Sequence, residues 1–399
     1  MGEIETAASG AQLNKDLALG LAYAAVFAGL GVLIPFWPLW LGGRGLSPAQ
    51  ISVVLTAAIW CRALAGPAWG QFADRRGVHR RLLIGLALGA ACCTALLHAR
   101  LGFAWILVLG VVFNGLYGPT LPLLDGITIL EGHARNERGR RLDYGRLRLW
   151  GSLAFIVVTI SVGRFLDGRD KDWVLAPLGG LMLIAALASL AVRQPAATRE
   201  RALRPMRELL VRRRLLIFLG GVALIQGSHA CYYAFATNYW ADTAGISRST
   251  IGLLWAEGVI AEVLLFAVAA RRIHCRPTTM LLIGAVGAAV RWVITAHTTS
   301  VPMLAAVQWL HAASFGCTHL AAIRYVAKHV PRQQTATAQT LFSAAAGGIG
   351  PGIALPIAGQ MFAASPRAAF LLMAGLSTAG AILACTLLRH TPSETADRP

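Results

Sequence analysis

Charge is scarce in this chain. Only 14% of its 399 residues are charged, while 56% are hydrophobic. A soluble domain carries roughly a quarter of its residues as charges, so these few cannot cover a surface that faces water. Lysine is nearly missing, with only Lys15, Lys171 and Lys328. None follows a glycine-rich loop, so the phosphate-cradling motif of an ATP-driven pump is lacking. His-Glu-x-x-His and Gly-x-Ser-x-Gly are also missing, which removes two common marks of a hydrolytic enzyme. The seven cysteines show no metal-site or disulfide spacing; six lie in apolar blocks and read as free buried thiols. No alternation over about ten residues is visible, which argues against a β-barrel. The first 16 residues include Glu3, Glu5 and Asp16; a secretory signal wants a basic start, so the first apolar block is expected to be retained.

What is present is a series of apolar blocks long enough to cross a bilayer, which takes roughly 20 helical residues. The hydropathy pattern predicts spans near 17–41, 49–70, 82–99, 103–128, 146–166, 173–193, 215–240, 249–270, 278–297, 302–327, 336–362 and 367–389. Ser47-Pro48 and Ser300 near Pro302 read as helix starts. The fold class is therefore an all-α integral membrane protein with twelve transmembrane helices. The longest loop divides them into an N-terminal six-helix bundle (1–193), a basic linker (194–214) and a C-terminal six-helix bundle (215–399). Six plus six is a common transporter plan, and it makes a membrane enzyme or a signalling receptor the weaker reading.

The net charge of +18 would suggest nucleic acid in a soluble protein. Here the arginines cluster in alternate loops. Arg75, Arg76, Arg80 and Arg81 share one, Arg135, Arg138, Arg140 and Arg141 a second, and the linker from Arg199 to Arg214 a third. The positive-inside bias puts these loops, and with them both termini, in the cytoplasm. The expectation is a monomer in a bacterial cytoplasmic (inner) membrane, with a small-molecule substrate, protons and the lipid bilayer as partners, and no nucleic acid, metal or cofactor.

Polar residues inside the spans are costly in lipid and so are functional candidates. They are Arg62, Asp125, Arg148, His229, Glu257, Glu262, Arg291, His311, His319 and Arg324. Each competes with a plain structural role in a salt bridge or helix contact. Glu257 and Glu262 diverge by about 140° on a helix, so only one of them faces a cavity fully. A carboxylate shielded from water, histidines that titrate near neutrality and an arginine are the parts of a proton site. Aromatic residues, among them Tyr232, Tyr233 and Trp255, could wall a substrate pocket, or could equally be packing and interface residues.

The stretch "GQFADRRGVHRR", Gly70 to Arg81, resembles the signature loop of the major facilitator superfamily. The resemblance implies the major facilitator fold and a cytoplasmic gate built on Gly70, Asp74, Arg75 and Gly77. Gly70 would allow close helix approach, and Asp74 would take hydrogen bonds from a helix N-terminus or an arginine. The corresponding second-half loop "RRIHCRP" lacks the acid. "AAVRW" and "LHAASFGCTHLAAIRY" resemble spans nine and ten of the lactose permease group, matching Arg291, His311 and Arg324 in register. An acid expected from that group falls on Ser314. "YGRLRLWG" resembles its fifth span, which implies a substrate-binding role for Arg148. "GSHACYYAFATNYW" and "IGLLWAEGVIAEVLLF" are similar to the proton-symporter branch that includes phenylpropionate permeases. That resemblance implies uptake of a small aromatic acid with protons. Arg148, Asp125, Arg62, Tyr232, Tyr233 and Trp255 are then the substrate candidates. Glu262, Glu257, Arg291, His311 and His319 are the proton-coupling candidates, with Glu262 first. A nucleoside or sugar symporter and a proton-driven exporter of drugs or metabolites remain open.

Overall fold

The computed structural model describes the backbone of residues 2–99, 102–136, 142–194, 207–273, 275–331 and 334–389. Arg138, Arg140, Arg141 and the linker residues 195–206 lie outside the described residues. Every regular element among the described residues is helical. In lipid the backbone must satisfy its own hydrogen bonds, and helices do so within one segment.

Span one is Gly2–Gly43, span two Pro48–Arg76 and span three His79–Leu96. Span four runs as Phe103–Tyr117 and Thr120–Asn136, interrupted at Gly118-Pro119. Pro119 has no N–H to continue the ladder, and the Gly115 carbonyl it leaves open accepts from Trp69 Nε1 at 3.2 Å. Span five is Tyr144–Leu166, and Leu175–Ala191 is the body of span six. The described part of the linker contains one helical turn, Arg207–Leu210.

Span seven is Arg213–Thr243, span eight Arg248–Arg272 and span nine Pro277–His297. Span ten is built from Val301–Gln308, a π-helical turn Ala312–Cys317, and Thr318–His329. Span eleven is Thr337–Ala364 and span twelve Pro366–Arg389. Eleven of the twelve are long and apolar enough to cross a membrane by composition alone. Span ten falls short because it carries His311, His319, Arg324 and Lys328.

The expected starts are built by identifiable chemistry. Ser47 and Gln50 form a reciprocal capping box ahead of Pro48. Asp143 caps span five by accepting from the Arg146 backbone N–H at 3.0 Å. Gly77, at φ 61°, ends span two in the left-handed conformation that favours glycine. Spans seven, ten and eleven each contain a π-helical turn, at Tyr239–Thr243, Ala312–Cys317 and Ala345–Ile349. Such a turn inserts one residue, rotates the downstream helix about its axis and often marks a functional site. All seven cysteines are free thiols.

The chain forms two compact units. One comprises Met1–Glu200 with Phe235–Ala256, the other Arg201–Ala234 with Glu257–Pro399. In the first unit, Trp37 stacks on Trp40 and Phe113, and Phe113 packs on Tyr117, all buried. Trp37 and Tyr117 are thus core residues. In the second, Phe218 stacks on Tyr325, and Phe370 on Trp292.

Candidate functional site

The first unit holds a charge cluster around Asp125 within its candidate spans. Asp125, one turn and a half past the break in span four, accepts from three side chains. They are Tyr23 at 2.6 Å, Tyr144 at 2.9 Å and Arg148 Nη1 at 3.3 Å. Tyr144 and Arg148 are four apart on span five and therefore share a face. The Tyr144 hydroxyl also accepts from Arg148 at 3.2 Å. The Arg148 guanidinium lies 5.3 Å from the Phe27 ring, within cation–π range. Arg148 is only partly buried, its side chain 39% exposed at the protein surface. Arg146, two residues earlier, is exposed.

Arg62 is exposed, and no acid pairs with it among the described residues. Its stem crosses span four at Gly118, where an added Cβ would sit 2.4 Å from Arg62 Cγ. Trp255 belongs to the first unit and donates to Thr237 at 3.0 Å.

The second unit holds a buried network centred on Arg291, which is 1% exposed. Its guanidinium packs against the adjacent rings of Tyr232 and Trp292, at 4.5 and 4.6 Å. Nη2 donates to Gln308 Oε1 at 2.7 Å, and Nη1 to His311 Nδ1 at 2.9 Å and Ser314 Oγ at 3.4 Å. His311 Nε2 lies 3.6 Å from Glu262 Oε2. His229 Nδ1 meets the Ile225 carbonyl at 3.0 Å, and its Nε2 meets Ser314 Oγ at 3.2 Å. Tyr232 donates to Gln308 at 3.1 Å, and Tyr233 stacks on His229.

Donor and acceptor chemistry orders these protons. Arginine can only donate, so His311 Nδ1 accepts and the ring proton sits on Nε2, facing Glu262. The Ile225 carbonyl can only accept, so His229 carries its proton on Nδ1 and its Nε2 accepts from Ser314. The serine hydroxyl thus receives from Arg291 and passes a hydrogen bond to His229. Ser314 occupies the expected acid's place with a neutral group.

The other sequence candidates fall elsewhere. Glu257 accepts from the half-exposed Trp309 at 2.7 Å. It shares a helix face with the exposed Leu253, Ile260 and Leu264. His319 is ringed by Phe266, Phe315 and Phe342, at 6.1, 6.2 and 5.6 Å. Arg324 donates to the Ala269 and Ile273 carbonyls, capping the end of span eight.

In the loop after span two, Asp74 Oδ1 lies 2.8 Å from His79 Nε2 at the start of span three. Its partner is thus a histidine across the Gly77 turn rather than an arginine. Arg75 is exposed. An added Cβ at Gly70 meets nothing within 4 Å, so close helix approach is not the role of Gly70 in this conformation. Sequence reasoning passed over Tyr23, Tyr144, His79 and Gln308. Tyr144 alone carried a signal, its four-residue spacing from Arg148.

The MFS_1 like family model matches residues 17–372. The chain is 34% identical over 371 residues to a "Probable 3-phenylpropionic acid transporter" of Escherichia coli (strain K12), covering 91% of this chain and 95% of that one. It is 28% identical over 386 residues to a "Maltose permease" of Geobacillus stearothermophilus, covering 92% and 93%. The fold resembles the crystal structure of the nucleoside transporter NupG, at a TM-score of 0.80 and 16% identity, covering 95% of this chain and 100% of that one. The match over most of the spans, with two relatives aligned nearly end to end, identifies the chain as a membrane transporter of the MFS_1 like family, within the major facilitator superfamily.

Proposed function

We propose that this transporter is a proton-coupled importer of a small aromatic carboxylic acid in a bacterial inner membrane, with both termini cytoplasmic. The observation that carries this reading is how Arg291 is compensated. The groups hydrogen-bonded to its buried guanidinium are all neutral: Gln308, Ser314 and an imidazole that must accept. The carboxylate of Glu262 lies one imidazole away. With Glu262 ionised, the cluster is neutral. With a proton on Glu262 Oε2, it carries one uncovered positive charge. An uncovered charge away from water is costly, so a protonated cluster favours the arrival of an anion. An anion and a proton would then travel together, and neither alone. Arg148 is the candidate to hold the substrate carboxylate, because a guanidinium offers two parallel donors. To do so it must exchange Asp125 for the substrate. Arg62, Tyr232, Tyr233 and Trp255 are further candidate contacts.

The similarity to a probable 3-phenylpropionic acid transporter supports an aromatic acid over a sugar or nucleoside, which need no uncovered cation. The halves 1–193 and 215–399 are proposed as the bodies that move in alternating access.

The test uses purified transporter in vesicles with labelled 3-phenylpropionate. An acid exterior should drive accumulation. Glu262→Gln should abolish that accumulation while substrate exchange, which needs no net proton release, continues. If Glu262→Gln still accumulates substrate on acidification, Glu262 is not the carrier, and His319 and Glu257 are the next to test.

A further inference from the structure

Gln308 is 2% exposed and lies three residues before His311 and six before Ser314, on one side of span ten. Its Oε1 accepts from Arg291 Nη2 at 2.7 Å and from the Tyr232 hydroxyl at 3.1 Å. A carbonyl oxygen has two lone pairs, and these two donors fill them. The guanidinium is thereby held at one edge by Gln308 and packed against the neighbouring rings of Tyr232 and Trp292. With that edge held, Nη1 directs its two N–H groups at His311 Nδ1 and Ser314 Oγ.

We infer that Gln308 is a positioning residue for coupling: it locks the Arg291 guanidinium, and through it the Nε2–H form of His311 facing Glu262, without cancelling the arginine's charge. This rests on the reading of the cluster as the coupling site. The chemistry of a glutamine is what the position requires. A glutamate at the same distance would hold the guanidinium equally well, but it would neutralise it. The charge that makes a protonated cluster receptive to an anion would then be gone. A methionine would leave the charge and lose the lock. The charged and titratable groups facing His311 are Arg291 from span nine, Glu262 from span eight and His229 from span seven, with Tyr232 and Tyr233 facing Arg291. A carboxylate at position 308 would face the same set.

The experiment compares the parent protein with Gln308→Glu and Gln308→Met, using 3-phenylpropionate uptake into vesicles across a range of external pH. Thermal melting checks each fold. Gln308→Glu is expected to raise the half-saturation constant by about tenfold or more, because it supplies a competing anion at the guanidinium. It should also move the pH of half-maximal uptake by about one unit. Gln308→Met should alter the pH profile and leave the half-saturation constant within about threefold, because it adds no charge. A folded Gln308→Glu whose half-saturation constant and pH profile match the parent overturns the inference.

A second measurement needs neither variant nor transport. Nitrogen-15 spectra of histidine-labelled parent protein, with the His311 signal assigned by its loss in His311→Gln, report the tautomer directly. The Nε2–H form at neutral pH supports the inference, and the Nδ1–H form overturns it. If the parent fails to take up 3-phenylpropionate, the proposed substrate falls, while the tautomer still decides the role of Gln308.

Discussion

Gly252→Ala should pull the end of span five away from the start of span eight. Within the first unit these two helices meet backbone to backbone. A Cβ at Gly252 would lie 2.6 Å from the Thr159 carbonyl oxygen, and one at Gly163 would lie 2.5 Å from the Arg248 carbonyl oxygen. Just beyond, the two helix ends cap each other. Asp167 accepts from the Arg248 and Ser249 backbone N–H groups at 2.7 and 3.2 Å. In return Arg248 Nη1 donates to the Leu166 carbonyl at 2.7 Å. Each side thus satisfies backbone groups that a helix end leaves open.

Ordinary contact begins at 3.4 Å, so the new methyl is 0.8 Å too close to a backbone atom that cannot rotate away. Moving the helices apart by that amount stretches the 2.7 Å bonds to about 3.5 Å, where a hydrogen bond has lost most of its value. Two charge-assisted bonds at about 1.5 kcal/mol each come to about 3 kcal/mol, roughly a hundredfold in the closed-to-open ratio. Helix propensity does not oppose the change, because alanine is the better helix former by about 1 kcal/mol.

The assay is alkylation of Ser249→Cys by an impermeant maleimide added outside, with the seven native cysteines replaced. The labelling rate should rise by about tenfold to a hundredfold in Gly252→Ala and also in Gly163→Ala, since opening sets the rate. Equal rates with and without the methyl would refute the steric argument. Labelling only from the cytoplasmic side would refute the orientation assigned from the arginine-rich loops.

Two further outcomes are expected. Arg148→Lys keeps the charge but loses the flat two-donor edge, so the half-saturation constant for an aromatic acid should rise by about tenfold or more; an unchanged constant makes Arg148 structural. Asp74→Asn removes the charge facing His79 but leaves the binding clusters untouched. Maximal uptake should fall by about tenfold with the half-saturation constant nearly constant, and full uptake in well-expressed protein would reduce the loop to orientation charge.

The twelve spans were legible because crossing a bilayer imposes a length and a composition that the chain must show openly. Span ten was the weakest of them by hydropathy, and it is the one that carries Gln308, His311 and Ser314. Its polar residues are what lower its hydropathy. The π-helical turns were not legible, since one inserted residue leaves no compositional trace. The break at Gly118-Pro119 lay within a run read as one span. The partnership of Asp125 with Arg148 could be anticipated, because opposite charges in lipid must find each other. The role of Gln308 could not, because a neutral residue attracts notice only once its partner is seen.

The two arginine clusters differ in how the charge is met, and in the proposed mechanism that difference divides their tasks. Arg148 has a direct carboxylate partner in Asp125. In the proposed cycle a substrate anion would compete with that partner, so Arg148 would not stand uncovered between cycles. Arg291 has only neutral direct partners, and the titratable Glu262 beyond one of them. Its compensation can therefore be withdrawn by a single proton. A direct salt bridge at Arg291 would be more stable and would couple nothing. A histidine between the two holds them in contact while leaving the carboxylate free to take up a proton without breaking an arginine pair, a step that would cost several kcal/mol. Under the proposed coupling, one arginine of each kind would serve the cycle, and this sequence places Arg148 before the basic linker and Arg291 after it.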